Sequence, residues 1–268
     1  MDLQKIAQDN LIFKCIVGSV LYGTEQQDSD LDYYGIFVPP KEFILGLKKC
    51  EQVQSQWEEL IHANVRAPIP KGTVGITDPL IKITKRKNEQ TIYALDKAIK
   101  LMIENNPNMI SILYVPDNRV TYNTVWGRRL IDNRHLFLSK LAYHRFSGYA
   151  ASQRIKMSNR NPVGNRAIEY EKFGWSVKFG MHLIRLLYEC LDILTIGELV
   201  YPSRQNQILL SIRRGEKSLE WVTDESKRLT DLIDQAYVKS DLQKHPQRDK
   251  IEQLQMEIFE DYWATQIL

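Results

Sequence analysis

Cysteine is scarce in this chain: three residues in 268, at Cys15, Cys50 and Cys190. No CxxC pair and no histidine cluster at zinc-ligand spacing accompanies them. An odd, scattered set argues against a disulfide framework and reads as free thiols in a reducing compartment. Long apolar runs are also missing. None reaches the roughly eighteen residues that a membrane span needs. The N-terminal MDLQKIAQDN has no apolar h-region, so the expectation is a cytoplasmic protein with no signal peptide and no membrane partner. Charge of one sign is weak too. A net +3 cannot establish a nucleic-acid partner, so any basic surface must be argued locally. No GxSxG, HExxH or P-loop occurs, and no Ser-His-Asp or Cys-His grouping emerges from spacing, which leaves kinase and hydrolase readings little support. Internal repeats and low-complexity tracts are absent.

What is present is ordinary globular material, 43% hydrophobic and 26% charged, long enough for one large domain or two modest ones. The pattern predicts a short helix over 2–9 and a strand over 11–17 that closes in Gly-Ser. A second strand, DLDYYGIFV, is stopped by Pro39-Pro40, and a short helix follows at KEFILGL. Residues 51–88 show little periodicity and five breakers, and "RAPIPKGTVGITDP" reads as a long loop. "EQTIYALDKAIKLMIENN" begins as strand and becomes helix, with Leu95, Ala98, Ile99, Met102 and Ile103 on one face. From 124 onward the chain reads helical, over 124–132, 135–157, 165–193, 205–213, 216–235 and 248–266. The expected architecture is α+β, with a sheet-bearing domain over 1–118 and a helical domain over 119–268 that closes over a cleft.

One stretch stands out within this frame: "GSVLYGTEQQDSDLDYYGIFVPP", Gly18 to Pro40. Asp30 and Asp32 are two residues apart, so on a strand they project to one face while Leu31 and Tyr33 project to the other. Unpaired near a core they repel and are costly to desolvate. Alone, DSD reads as a solvated acidic turn. The Gly-Ser eleven residues earlier changes this. It places a small residue, a hydroxyl and free backbone N–H groups where a phosphate docks. Two hard carboxylates beside that notch are what Mg²⁺ wants when substrate phosphates complete its shell.

These residues resemble the signature of the DNA polymerase β-like nucleotidyltransferase superfamily, Gly-Ser followed by about ten residues and then DxD. The closer resemblance is to a predicted-nucleotidyltransferase branch that includes RNA-repair, RNA-ligase-associated proteins. "EQTIYALDKAIKLMIENNPNMISILYVP", "SKLAYHRFSGYAASQRIKM" and "KFGMHLIRLLYECLDILTIGEL" are similar to further motifs of that branch, covering most of 11–200, while 201–268 adds little. The resemblance implies Mg²⁺-dependent, two-metal nucleotidyl transfer, with Mn²⁺ able to substitute. Asp30 and Asp32 would be metal ligands, with Glu89 as the third acid, longer than the Asp of many relatives. Gly18, Ser19, Thr24, Lys97, Lys178, His182 and Arg185 would bind the nucleotide. The substrates implied are a nucleoside triphosphate and an acceptor hydroxyl on RNA, a tRNA 3′ end among the possibilities. The competing readings are transfer of AMP to a protein hydroxyl, as antitoxin-type relatives do, and a non-catalytic nucleotide- or RNA-binding module.

Without the family, each candidate has a plainer reading. Glu89 is a strand-entry residue, and Lys97 a solvated lysine on an amphipathic helix. Lys178, His182 and Arg185, at i, i+4 and i+7, share one helix face. That stripe is either a triphosphate clamp, with Arg185 forking phosphate oxygens, or a basic solvent face. Leu183, Leu186, Leu187 and Cys190 form the apolar face of the same helix. His144, Arg145, Arg154, Lys156, Arg160 and Arg166 interleave with Tyr143, Phe146 and Tyr149. That mixture suits RNA, although the aromatics read better as core. The basic run IKITKRK (81–87) is positioned to touch an acceptor strand.

Overall fold

Leu11–Val17 (β1) is LIFKCIV, β-branched and apolar enough to sit inside a sheet. In the computed structural model, which describes residues 2–26, 29–65, 80–158 and 165–266, it lies second from one edge of a five-stranded sheet. Side chains are described for these residues except 60–65, 80–85, 165 and 166. Leu31–Phe37 (β2) runs antiparallel beside β1, with Val17 opposite Asp32. Gln52–Val65 (β3) and Leu80–Ala94 (β4) pair antiparallel, and β4 runs parallel to β2, with Asp32 opposite Glu89. Val120–Asn123 (β5) closes the other edge against β1, giving the order β3-β4-β2-β1-β5.

Two expectations change here. Much of 51–88 is not loop: β3 and the start of β4 are strands. QVQSQWEEL carries few apolar residues because β3 is an edge strand with polar surroundings, so no period-2 signal marks it. The RAPIPKGTVGITDP segment lies outside the described residues. The helix expected over 165–193 is two helices, Asn165–Phe173 (α8) and Val177–Ile196 (α9). The chain turns between them at Gly174, with φ of +76°, a backbone state that glycine adopts without steric cost.

The remaining helices form the rest of the α+β molecule. Leu3–Asp9 (α1) precedes the sheet, and Gly18–Tyr22 (α2) and Lys41–Ile44 (α3) interrupt it. Leu95–Ile103 (α4) follows β4 directly, and Leu95, Ala98, Ile99 and Met102 are its buried face, as the periodicity predicts. At about 1.5–3 kcal/mol per large buried side chain, that stripe fixes α4 against the core. Pro107–Ile112 (α5) starts where Asn106 caps it, accepting from Asn108 N and Met109 N, with Pro107 at the first helical position. Val125–Asp132 (α6) and Leu141–Met157 (α7) follow. Asn206–Arg213 (α10), Leu219–Lys239 (α11) and Arg248–Thr265 (α12) complete the chain.

Helix α9 is the axis of the helical half, packed by α7, α10 and α11. One hydrophobic cluster runs from β1 through α4 and α9 to α12. Cys15 and Cys190 are buried in it, and Cys50 is half-buried; all three are free thiols. Among the described residues, no helix is long and apolar enough to cross a membrane.

Candidate functional site

The ends of β1, β2 and β4 meet in a cleft against α9. Gly18 makes the first turn after β1 with φ of +68°. A Cβ placed there would lie 2.3 Å from Asp32 Oδ2, so only glycine lets the chain pass this close to the carboxylate. Helix α2 begins here without a side-chain cap. Thr24 is buried, its N–H donating to the Ser19 carbonyl at 2.9 Å.

Two chambers adjoin at this point, and both are lined by Gly18, Asp32 and His182. The outer one, about 530 Å³, is also lined by Ser19, Thr24, Asp30, Lys178 and Arg213. The inner one, about 300 Å³, is lined by Tyr22, Tyr34, Glu89, Thr91, Asn108, Ser111 and Arg185. Asp30 therefore belongs to the outer chamber and Glu89 to the inner, with Asp32 between them. The Asp32 carboxyl is pushed above its ordinary range, first by burial and then by the charges of Glu89 and Asp30.

Relief of that repulsion is what a hard cation supplies. The donor set, all carboxylate oxygen, fits Mg²⁺ in kind. Among the described residues, no three acidic, histidine or cysteine side chains are grouped to hold a metal as they stand. Glu89 is engaged elsewhere: Lys87 Nζ lies 2.8 Å from its Oε1, and Gln56 Nε2 donates to the same oxygen at 2.9 Å.

The Lys178–His182–Arg185 stripe does not act as one set. Lys178 is exposed and lines the outer chamber. His182 is held well below its usual range, by burial first and then by Arg185, Lys178 and Arg213, so it is neutral and adds no positive charge. Its Nδ1 is buried without a hydrogen-bond partner among the described residues. Arg185 lines only the inner chamber, and its Nη1 donates to both carboxylate oxygens of Glu189 at 2.8 Å. Lys97 lines neither chamber; its ammonium pairs with Glu51 at 2.8 Å.

Arg213 takes a place that spacing does not reveal. It reaches the outer chamber from α10, held by Glu169 Oε1 at 2.5 Å. The other Glu169 oxygen accepts from Ser176 Oγ at 2.8 Å and from Lys178 N at 3.4 Å. Asn108 and Ser111 are equally invisible as site residues in the sequence, although the Asn-Pro that caps α5 marks the turn presenting them. The sequence reading missed Glu189, although its i, i+4 spacing from Arg185 is a signal that could have found the pair.

The interleaved basic and aromatic residues of α7 serve the fold in part. Phe146 is buried. Tyr143 donates to Asp234 at 2.8 Å, and Asn106 donates to the Tyr149 hydroxyl at 2.8 Å. Arg145 lies 3.8 Å from Glu104, and Arg154 donates to Ser226 Oγ at 3.1 Å. His144 is exposed, and Lys156 lies over the Phe179 ring. Arg160, the Arg166 side chain and the side chains of 81–85 lie outside the described residues.

The chain matches the family described as "RlaP: RNA repair pathway DNA polymerase beta family" over residues 1–264. The match takes in 201–264, the stretch that supplies Arg213. The chain is also 28% identical over 149 residues to an uncharacterized 38.9 kDa protein of Enterobacteria phage T4, from the nrdC-mobD intergenic region. That alignment spans 54% of this chain and 38% of the phage protein.

Proposed function

This chain belongs to the RNA repair pathway DNA polymerase beta family, a polymerase β-like nucleotidyltransferase group, and from that premise we propose that it transfers a nucleoside monophosphate from a nucleoside triphosphate to a hydroxyl at an RNA 3′ end. The acceptor oxygen bonds to the α-phosphorus, the α–β phosphoanhydride bond breaks, pyrophosphate leaves and the hydroxyl proton passes to solvent. The observation that carries this reading is the Asp32 carboxylate packed against Gly18 where two chambers meet.

The outer chamber suits the triphosphate. Lys178, with no ion pair among the described residues, and Arg213, held by Glu169, bring positive charge, and Gly18, Ser19 and Thr24 bring small polar groups. Asp30 and Asp32 would hold Mg²⁺, with Glu89 joining once released from Lys87 and Gln56. When bound, that cation stabilises charge on the phosphates and lowers the pKa of the attacking hydroxyl. The chain's part is to hold the triphosphate on one side of Asp32 and admit the acceptor from the other.

The test is incubation with each α-labelled triphosphate, Mg²⁺ and either total RNA or a protein extract. Label entering RNA supports the reading. Label found only on polypeptide overturns it.

A further inference from the structure

The inner chamber contains a cation, Arg185, that does not line the outer chamber. Arg185 is 5% exposed, deep in α9. It is fixed on two sides, by Glu189 through Nη1 and by the Tyr22 ring, whose centroid lies 3.9 Å from Cζ. Tyr201 completes the set by donating to Glu189 Oε1 at 3.1 Å. The Arg185 Nε is nevertheless buried with no hydrogen-bond partner among the described residues. A buried ion pair gives little stability that an apolar pair of equal volume would not, and an orphaned donor costs more. Such an arrangement reads as a donor kept ready for a ligand in the chamber that it lines.

Building on the function proposed above, we propose that Arg185 binds the acceptor and not the triphosphate: the inner chamber receives the terminal ribonucleotide of the RNA, Arg185 holds its last phosphodiester, and Glu189 and Tyr201 are positioning residues for Arg185. Three features support this division. Glu189 is held through Arg185 Nη1, which leaves the Nε donor for a single phosphodiester oxygen, whereas the outer chamber offers a triphosphate two cations, Lys178 and the Glu169-held Arg213. Thr91, Asn108 and Ser111 offer neutral hydroxyl and amide groups of the kind that ribose hydroxyls bind. In-line displacement requires the attacking oxygen to enter opposite the leaving pyrophosphate. With pyrophosphate in the outer chamber, the side left for the acceptor is the inner one, across Asp32.

The experiment measures binding of two probes separately to the full chain in Mg²⁺: an oligoribonucleotide with a 3′-hydroxyl, and a non-hydrolysable nucleoside triphosphate. Arg185→Gln is expected to weaken the oligonucleotide about tenfold or more, the loss of a charge-assisted hydrogen bond, with the triphosphate changed less than about twofold. Lys178→Ala and Arg213→Ala give the reverse split. Because Arg185→Gln orphans a buried carboxylate, the double variant Arg185→Gln/Glu189→Gln is measured beside it, with the same split expected. Glu189→Gln and Tyr201→Phe shift oligonucleotide binding alone if they position Arg185. Equal weakening of both probes, or a lowered unfolding midpoint with no split, overturns the proposal. An oligonucleotide that binds wild type and the double variant equally also overturns it. An oligonucleotide that fails to bind wild type overturns the RNA reading itself, and the assignment of Arg185 with it.

Discussion

Asp32 carries two opposed expectations. As the proposed metal ligand it would serve the reaction, and Asp32→Asn should lower transfer by about 10²–10³-fold or more, the several kcal/mol that a bound cation supplies. As a carboxyl crowded by burial, Glu89 and Asp30, it weakens the fold when ionised. Its raised pKa means that the unfolded chain releases the proton first as pH rises from the ordinary value of 3.8, so stability is lost through that window. Asp32→Asn should therefore raise the unfolding midpoint at about pH 7 and raise it less at about pH 4, read by thermal melts at both; an equal change at both would contradict the assignment. Gly18→Ala forces a Cβ onto the same carboxylate in a left-handed backbone state, and should abolish transfer in a folded protein. Of the three thiols, Cys15 and Cys190 are buried and burial pushes both upward, Cys190 to about 12. A thiol reagent should accordingly label Cys50 in the native state and the other two only after unfolding, as mass spectrometry would register.

Helix α8 shows how one element tunes another. Glu169 holds the Arg213 side chain from α10 and the Lys178 backbone of α9 at once. Glu169→Ala releases both walls of the outer chamber, and steady-state kinetics should give a triphosphate KM raised about tenfold with kcat changed less, the size of one charge-assisted contact. The same elements divide what the sequence reveals from what it hides. Helix α4 and the apolar face of α9 were legible because their apolar spacing follows a helix face. The Gly-Ser and DxD pair were legible because a short chain segment brings them together. Strand β3 was hidden because an edge strand with polar surroundings needs no alternation, and the 174–176 break because one glycine inside a helical pattern is weak evidence. Arg213, Asn108 and Ser111 were hidden as site residues because only tertiary packing carries α5 and α10 to the cleft. Tertiary packing also decides where Lys97 lies: it sits on a well-predicted helix, outside both chambers, with Glu51 as its ion-pair partner.

The molecule is held together from its last helix. Trp263 of α12 donates to the Pro39 carbonyl at 2.9 Å, Tyr262 bonds to Asn10 at 3.0 Å, and Arg129 pairs with Asp261 at 2.7 Å. Ile251, Leu254, Ile258, Phe259 and Tyr262 are buried. At about 1.5–3 kcal/mol each, their loss rivals a typical total stability of about 5–15 kcal/mol. A chain ending at residue 247 should fail to fold, visible as lost near-UV circular dichroism; a native spectrum would show that the sheet stands without α12. The sheet also draws β5 from beyond residue 118, and the core runs through both halves, so the cleft depends on the whole chain. What this assembly does is tested most directly by mass spectrometry of a defined oligoribonucleotide after incubation with triphosphates and Mg²⁺. A mass gain of whole nucleoside monophosphate units is expected on a 3′-hydroxyl end, none on a 3′-deoxy end, and none with Asp32→Asn. An unchanged oligonucleotide alongside a nucleotidylated polypeptide, or a gain that survives Asp32→Asn, would contradict the proposed transfer.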